Sequence, residues 1–323
     1  MRKPRGTPFP TIIDTGWHPL MNGGAPEWAS GWGQDSHGVF VEIAVHEITQ
    51  RLRWCPAGRF LMGSPEREEG LSRERPQTEI TFTEGFWIFD TVVTQALYEA
   101  VMGKNPSHFS EGGAQSPVEN VSWEDTQAFL ERLNGEFSGL SLILPSEAQW
   151  EYACRAGSDT PFEPTVAATH KGMGLTAEEA KFGNEKKGPV PVSGAPYRQN
   201  AWGLWHMHGN VWEWCADLWS DDHRGANPFG KPRLESGKGG RGRVVRGGSW
   251  FYPARLCRSA IRLGYLPVSR NFNIGFRPAG GPLASSSRPG YGPEDCGPDP
   301  GTSDKPEASV VRGLGRRAER GEA

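Results

Sequence analysis

The chain has 323 residues, with 35 basic and 38 acidic side chains and a formal net charge of −3. That balance offers no positive field to hold a phosphate backbone, which argues against nucleic acid as a partner. No run of about 18 apolar residues occurs, which excludes a membrane-spanning helix. Pro8 and Pro10 follow the basic start where an export signal needs an apolar core. The expectation is a soluble, cytoplasmic protein.

Gly (43) and Pro (27) together supply about a fifth of the residues, and 13 are Trp. Long helices do not survive such a composition, and the aromatics point to a core of short strands and packed loops. The five cysteines (Cys55, Cys154, Cys215, Cys257 and Cys296) are odd in number and widely spaced. This argues against a disulfide framework and for buried thiols at Cys55, Cys154 and Cys215.

In chain order, residues 1–37 carry Trp17, Trp28 and Trp32 and are expected to drape over the domain and bury them. Residues 38–279 read as one α+β domain. Val39–Val45 and Thr49–Trp54 predict an antiparallel pair, and Arg59–Gly63 and Glu79–Thr83 two further strands, with a charged loop over 64–78. Thr94 caps a first helix bearing Leu97, Tyr98, Val101 and Met102, with Gly103 as its stop. Ser122 caps a second, carrying Trp123, Leu130 and Leu133, which ends at Asn134-Gly135. Ser146 caps a third, with Gln149 completing a capping box and Trp150, Ala153 and Cys154 facing inward. Residues 280–323 contain nine Gly, six Pro and one aromatic, Tyr291, and are expected to be a disordered tail with Cys296 exposed.

Several phrases go beyond composition: Trp54-Cys55-Pro56-Ala57-Gly58 through Met62-Gly63-Ser64, Pro117-Val118-Glu119-Asn120-Val121-Ser122-Trp123, Leu144-Pro145-Ser146-Glu147 through Tyr152-Ala153, Gly203-Leu204-Trp205 through Gly209-Asn210-Val211-Trp212-Glu213-Trp214, Arg246-Gly247-Gly248-Ser249-Trp250, and Asn273-Ile274-Gly275-Phe276-Arg277. In this order they resemble the formylglycine-generating enzyme (sulfatase-modifying factor) family over about 50–279. The resemblance implies a C-type lectin-like fold: a small twisted β core, two or three helices and much loop.

It also implies a test for catalysis. Catalytic members oxidise a substrate cysteine with copper held by two cysteines after the Gly-Gly-Ser-aromatic motif. Here Tyr252 stands at the first position and Cys257 at the second. A phenol is a poor copper(I) ligand, so formylglycine synthesis is not expected. A second branch uses non-heme iron, with ligands largely from an N-terminal helical domain. This chain offers only His18, His37 and His46 before residue 100. His206 and His208 are two residues apart, a spacing that is more often structural. The family's structural calcium maps onto the carbonyls of Gly209 and Val211 and the carboxylate of Glu213, with His206 where an oxygen ligand belongs. The alternative is that Glu213 accepts charge-assisted hydrogen bonds from loop N–H groups or an arginine. No cofactor is required on this reading.

Residues 246–277 combine fixed-looking phrases with apolar residues of no regular period: Phe251, Tyr252, Leu256, Ile261, Leu263, Tyr265, Leu266 and Phe272, with Ser269 among them, interleaved with Arg255, Arg258, Arg262 and Arg270. The stretch resembles the variable region of retroelement-diversified proteins of this fold, which implies a ligand-binding surface over 251–272. Exposed aromatics beside arginines suit a protein ligand. The first reading is therefore a non-catalytic binding protein. The alternatives are a metal-dependent oxidoreductase on cysteine or sulfur substrates, and a structural subunit.

Overall fold

Alternation drives the first sheet. In a computed structural model that describes residues 10–21, 24–183, 188–235 and 241–280, Val39, Val41, Ile43 and Val45 point inward while their neighbours are half-buried, the period of two of a strand with one packed face. The strands are β1 (Ile12–Asp14), β2 (Gly31–Asp35), β3 (Gly38–Val45), β4 (Ile48–Cys55), β5 (Ala57–Met62), β6 (Thr78–Phe82), β7 (Phe86–Phe89), β8 (Leu142–Ile143), β9 (Trp212–Leu218), β10 (Arg243–Arg246), β11 (Arg262–Tyr265), β12 (Ile274–Gly275) and β13 (Ala279–Gly280). They form a six-stranded sheet of order β2-β3-β4-β7-β13-β8, a four-stranded sheet β11-β10-β9-β12 and a three-stranded sheet β1-β5-β6. The pairs β3–β4 and β5–β6 are antiparallel, in the segments where the sequence predicts strands.

Three helices join them: α1 (Gln95–Met102), α2 (Trp123–Glu136) and α3 (Glu147–Arg155). Thr94, Ser122 and Ser146 each accept a backbone N–H with the side chain, satisfying a donor that the first turn leaves orphaned. Gly103 ends α1 in the left-handed region. α2 runs past Asn134-Gly135 to Glu136, because buried Phe129, Leu130 and Leu133 hold its inner face and one glycine costs only about 1 kcal/mol. Tyr98 of α1 stacks on Phe129 of α2, and Phe129 meets Phe276 edge-on. α3 packs in a second cluster of buried side chains with Phe60, Ile80 and Phe82. None of the described helices is long and apolar enough to cross a membrane.

The lead is more than a drape, since β1 and β2 both fall within residues 1–37. Trp28 is buried and Trp17 meets Trp54 edge-on, but Trp32 remains half exposed. It lies on β2, an edge strand with one neighbour and a largely exposed burial pattern. At the other end, Ala279 and Gly280 are buried as β13, so ordered structure reaches the first residue assigned to the tail. The tail itself, 281–323 with Cys296, lies outside the described residues.

Candidate ligand-binding site

The site segment leaves β10 through a double glycine. Gly248 has φ +77°, and a Cβ there would stand 2.3 Å from the Leu256 carbonyl and 2.6 Å from Cys257 Sγ. No other residue fits so close a backbone approach. The turn is tied to the preceding loop by hydrogen bonds from Gly209 N–H to the Gly247 carbonyl and from Trp250 N–H to the Asn210 carbonyl. His208 secures the far side. Its Nδ1 lies 2.8 Å from the Cys257 carbonyl and its Nε2 accepts the Glu163 N–H. Burial holds both His206 and His208 well below the ordinary range, at about 4, so the two rings are neutral structural groups.

Beyond the turn the segment sorts its side chains. Phe251 (42% exposed), Leu266 (56%), Val268 (55%) and Phe272 (38%) face solvent. Tyr252, Leu256, Leu263, Tyr265 and Ser269 are half-buried. Tyr252 packs on Trp212, and Tyr265 on Trp214. Ile261 is wholly buried among core residues, which removes it from the expected surface. It lies in the buried run Cys257–Arg262 that leads into β11 and packs inward with that run.

The arginines sort too. Arg262 donates from Nε and Nη2 to the two oxygens of Glu147, and Arg258 reaches Glu68 and both oxygens of Glu74. Arg246 is buried against Glu151. These are internal struts: Arg258 and Arg262 meet carboxylates in the paired geometry a guanidinium favours, and Arg246 divides its donors between Glu151 and the Ile261 carbonyl. Arg270 is half exposed and pairs with Asp125; Arg255 is exposed.

Phe251 and Phe272 meet at 5.7 Å between ring centroids, and both rest on buried Trp250. Two residues that the sequence reading missed complete this face. Phe109 stands 5.5 Å from Trp250 and 6.3 Å from Phe272, and His108 6.1 Å from Phe272. Their turn is held by Glu119, whose Oε1 accepts the Phe109 N–H at 2.7 Å. The only local signal was an aromatic pair following the polar turn Asn105-Pro106-Ser107.

Neither metal set fits. Burial pushes the Cys257 thiol up to about 12, and its neighbours Phe162 and Ala167 are apolar. Tyr252 instead packs edge-on against Trp212. One buried thiol and one packed phenol are not a copper(I) dithiolate. Glu213 is fully buried; Arg277 donates to both of its oxygens, and Trp150 Nε1 donates to Oε2 at 2.7 Å. The arginine alternative therefore describes this carboxylate, and calcium at Gly209, Val211 and Glu213 would have to displace it. Neither 1 mM calcium nor a chelator is expected to move the melting temperature; a rise on calcium addition that is lost in Glu213→Gln would reverse this assignment.

With the geometry in place, the comparisons define the class. Residues 41–280 match the sulfatase-modifying factor enzyme 1-like domain, and the chain belongs to that family. The formylglycine-generating enzyme of Streptomyces coelicolor is 35% identical over 180 residues, 51% of this chain and 53% of that protein. The chain spans about half the length of this relative and of its mouse counterpart. Among solved structures, Treponema denticola variable protein 1 superposes with a TM-score of 0.63 at 28% identity, covering 75% of this chain and 98% of the other. PvdO from Pseudomonas aeruginosa gives 0.63 at 26% identity, covering 79% and 100%. The fold is α+β and C-type lectin-like, loop-rich, with three helices among the described residues.

Proposed function

We propose that this chain is a non-catalytic ligand-binding member of its family, and that its ligand is another protein. The observation that carries the reading is the aromatic cluster of solvent-facing Phe251, Phe272 and His108 with half-buried Phe109 over buried Trp250. Aromatics grouped on a rigid base supply contact area at low entropic cost, the usual makeup of an interface centre. The family's copper pair is reduced here to a phenol and a buried thiol, which supports binding over oxidation. The likeness to a variable protein supports the same reading, and on it diversification would fall at the outward positions. A retroelement would leave a near-identical repeat of the 246–277 coding stretch, with adenine-specific differences, beside a reverse transcriptase gene.

The test separates surface from core. Phe251→Ser with Phe272→Ser is expected to leave the melting temperature within a few degrees of wild type, because partly exposed positions cost little. The same pair should abolish retention of a cross-linked partner that wild type captures. Ile261→Ser should unfold or strongly destabilise the chain, losing about 2–5 kcal/mol. Partner retention by a folded double variant would defeat the proposal.

A further inference from the structure

A cleft of about 510 Å³ opens beside the site segment, between the 65–69 loop, residues 159–162, residues 173–175 and the turn at Ala254-Arg255. One wall is apolar, built from Pro161, Phe162, Met173 and Leu175. Met173 is 68% exposed, so it covers no protein neighbour fully. The lining also includes Glu68 and Arg258. The mouth is balanced in charge, with Arg67 and Arg255 against Glu69 and Asp159. The Arg67–Asp159 contact is long, at 3.9 Å, and fully in solvent, so salt screens it.

Further in, the guanidinium of Arg258 faces two buried carboxylates, Glu68 and Glu74, at 2.7–2.8 Å. Arg75, on the same loop, directs Nη2 at the carbonyls of Pro65 and Glu68. Glu68 Oε1 is taken by Arg258, and Oε2 has no hydrogen-bond partner although the side chain is only 6% exposed. A buried acceptor without a donor is costly, and it gains most from a charged one.

We propose that this cleft binds an ammonium or guanidinium group on an apolar stem, the cation meeting Glu68 and the stem lying along Phe162, Met173 and Leu175. Two sources share that chemistry: a free alkylamine, and a lysine or arginine side chain of a protein. The site is separate from the aromatic face and does not depend on it.

The experiment is calorimetric titration of the full chain with pentylamine and with an acetylated, amidated pentapeptide carrying one central lysine. Pentanol and the norleucine peptide serve as uncharged controls. Binding is expected for one or both charged probes and for neither control, and the responding probe identifies the source. Glu68→Gln, which keeps the acceptor for Arg258, should weaken binding about tenfold or more. Met173→Ser, a change at an exposed position, should weaken it without altering the melting temperature. Phe251→Ser with Phe272→Ser should leave it unchanged, so the aromatic reading can fail while this one stands. No binding of either charged probe, equal binding of pentanol and pentylamine, or undiminished affinity in a folded Glu68→Gln protein would overturn the proposal.

Discussion

Replacing Glu213 by Ala, or Arg277 by Met, is expected to cost about 3–5 kcal/mol, a large part of the roughly 5–15 kcal/mol that holds a domain folded. Both side chains are essentially without solvent contact. Arg277 donates to both Glu213 oxygens and to the carbonyls of Phe89, Asp90 and Trp205, so it joins β7, the loop before β9, β9 itself and the link between β12 and β13. Removing the carboxylate leaves a guanidinium buried with no countercharge, and removing the guanidinium leaves a buried anion. The double change Glu213→Leu with Arg277→Met should cost less than the sum of the two singles, because no charge is then stranded. Urea unfolding of the four proteins measures the coupling. A single variant within about 1 kcal/mol of wild type would show that the pair is not the strut described.

Glu119→Gln should become more stable than wild type as pH rises, by about 2 kcal/mol at pH 8 relative to pH 5. Burial pushes the Glu119 carboxyl up to about 7 from its ordinary 4.5. A raised acid binds its proton more tightly in the folded chain than in the unfolded one. Its ionisation therefore opposes folding, with no effect below about pH 4.5 and a penalty that grows until pH passes about 7. Glutamine keeps the oxygen that accepts the Phe109 N–H and cannot ionise. His206, His208 and His223, each depressed to about 4 by burial, act with the opposite sign, losing stability as pH falls below their unfolded value near 6.5. The wild-type profile mixes these terms, so the readout is the difference between variant and wild type at each pH. Parallel curves would refute the assignment.

Much of the scaffold could be read locally. The helix starts followed from Thr94, Ser122 and Ser146, because a cap is a contact between residues three apart. The strand pairs followed from alternation. The resemblance carried the fold itself, which no periodicity announced. The role of the arginines was not legible, because Arg262 finds Glu147 at a distance of 115 residues and Arg258 finds Glu74 at 184. In sequence these arginines looked like part of a charged surface. Ile261 looked the same as Leu266, both apolar residues in an aperiodic stretch. Only the register of β11 and the anchoring of Cys257 to Ile261 turn one inward and leave the other in solvent. Phe109 and His108 enter the aromatic face from a loop more than 140 residues upstream, which no local pattern records.

The last strand has a bearing on how the chain is made. Ala279-Gly280 does not sit at a margin of the six-stranded sheet but between β7 and β8, hydrogen-bonded to both. Until residue 280 is available, β7 and β8 present facing rows of unmatched N–H and C=O groups across an open slot. A nascent chain therefore carries two exposed strand edges from the completion of β8 until Ala279-Gly280 is available, and closes them in one long-range step. A chain truncated before Ala279 would keep that slot for good, and its natural filler would be the same strand from another copy, the route by which such molecules exchange segments and associate.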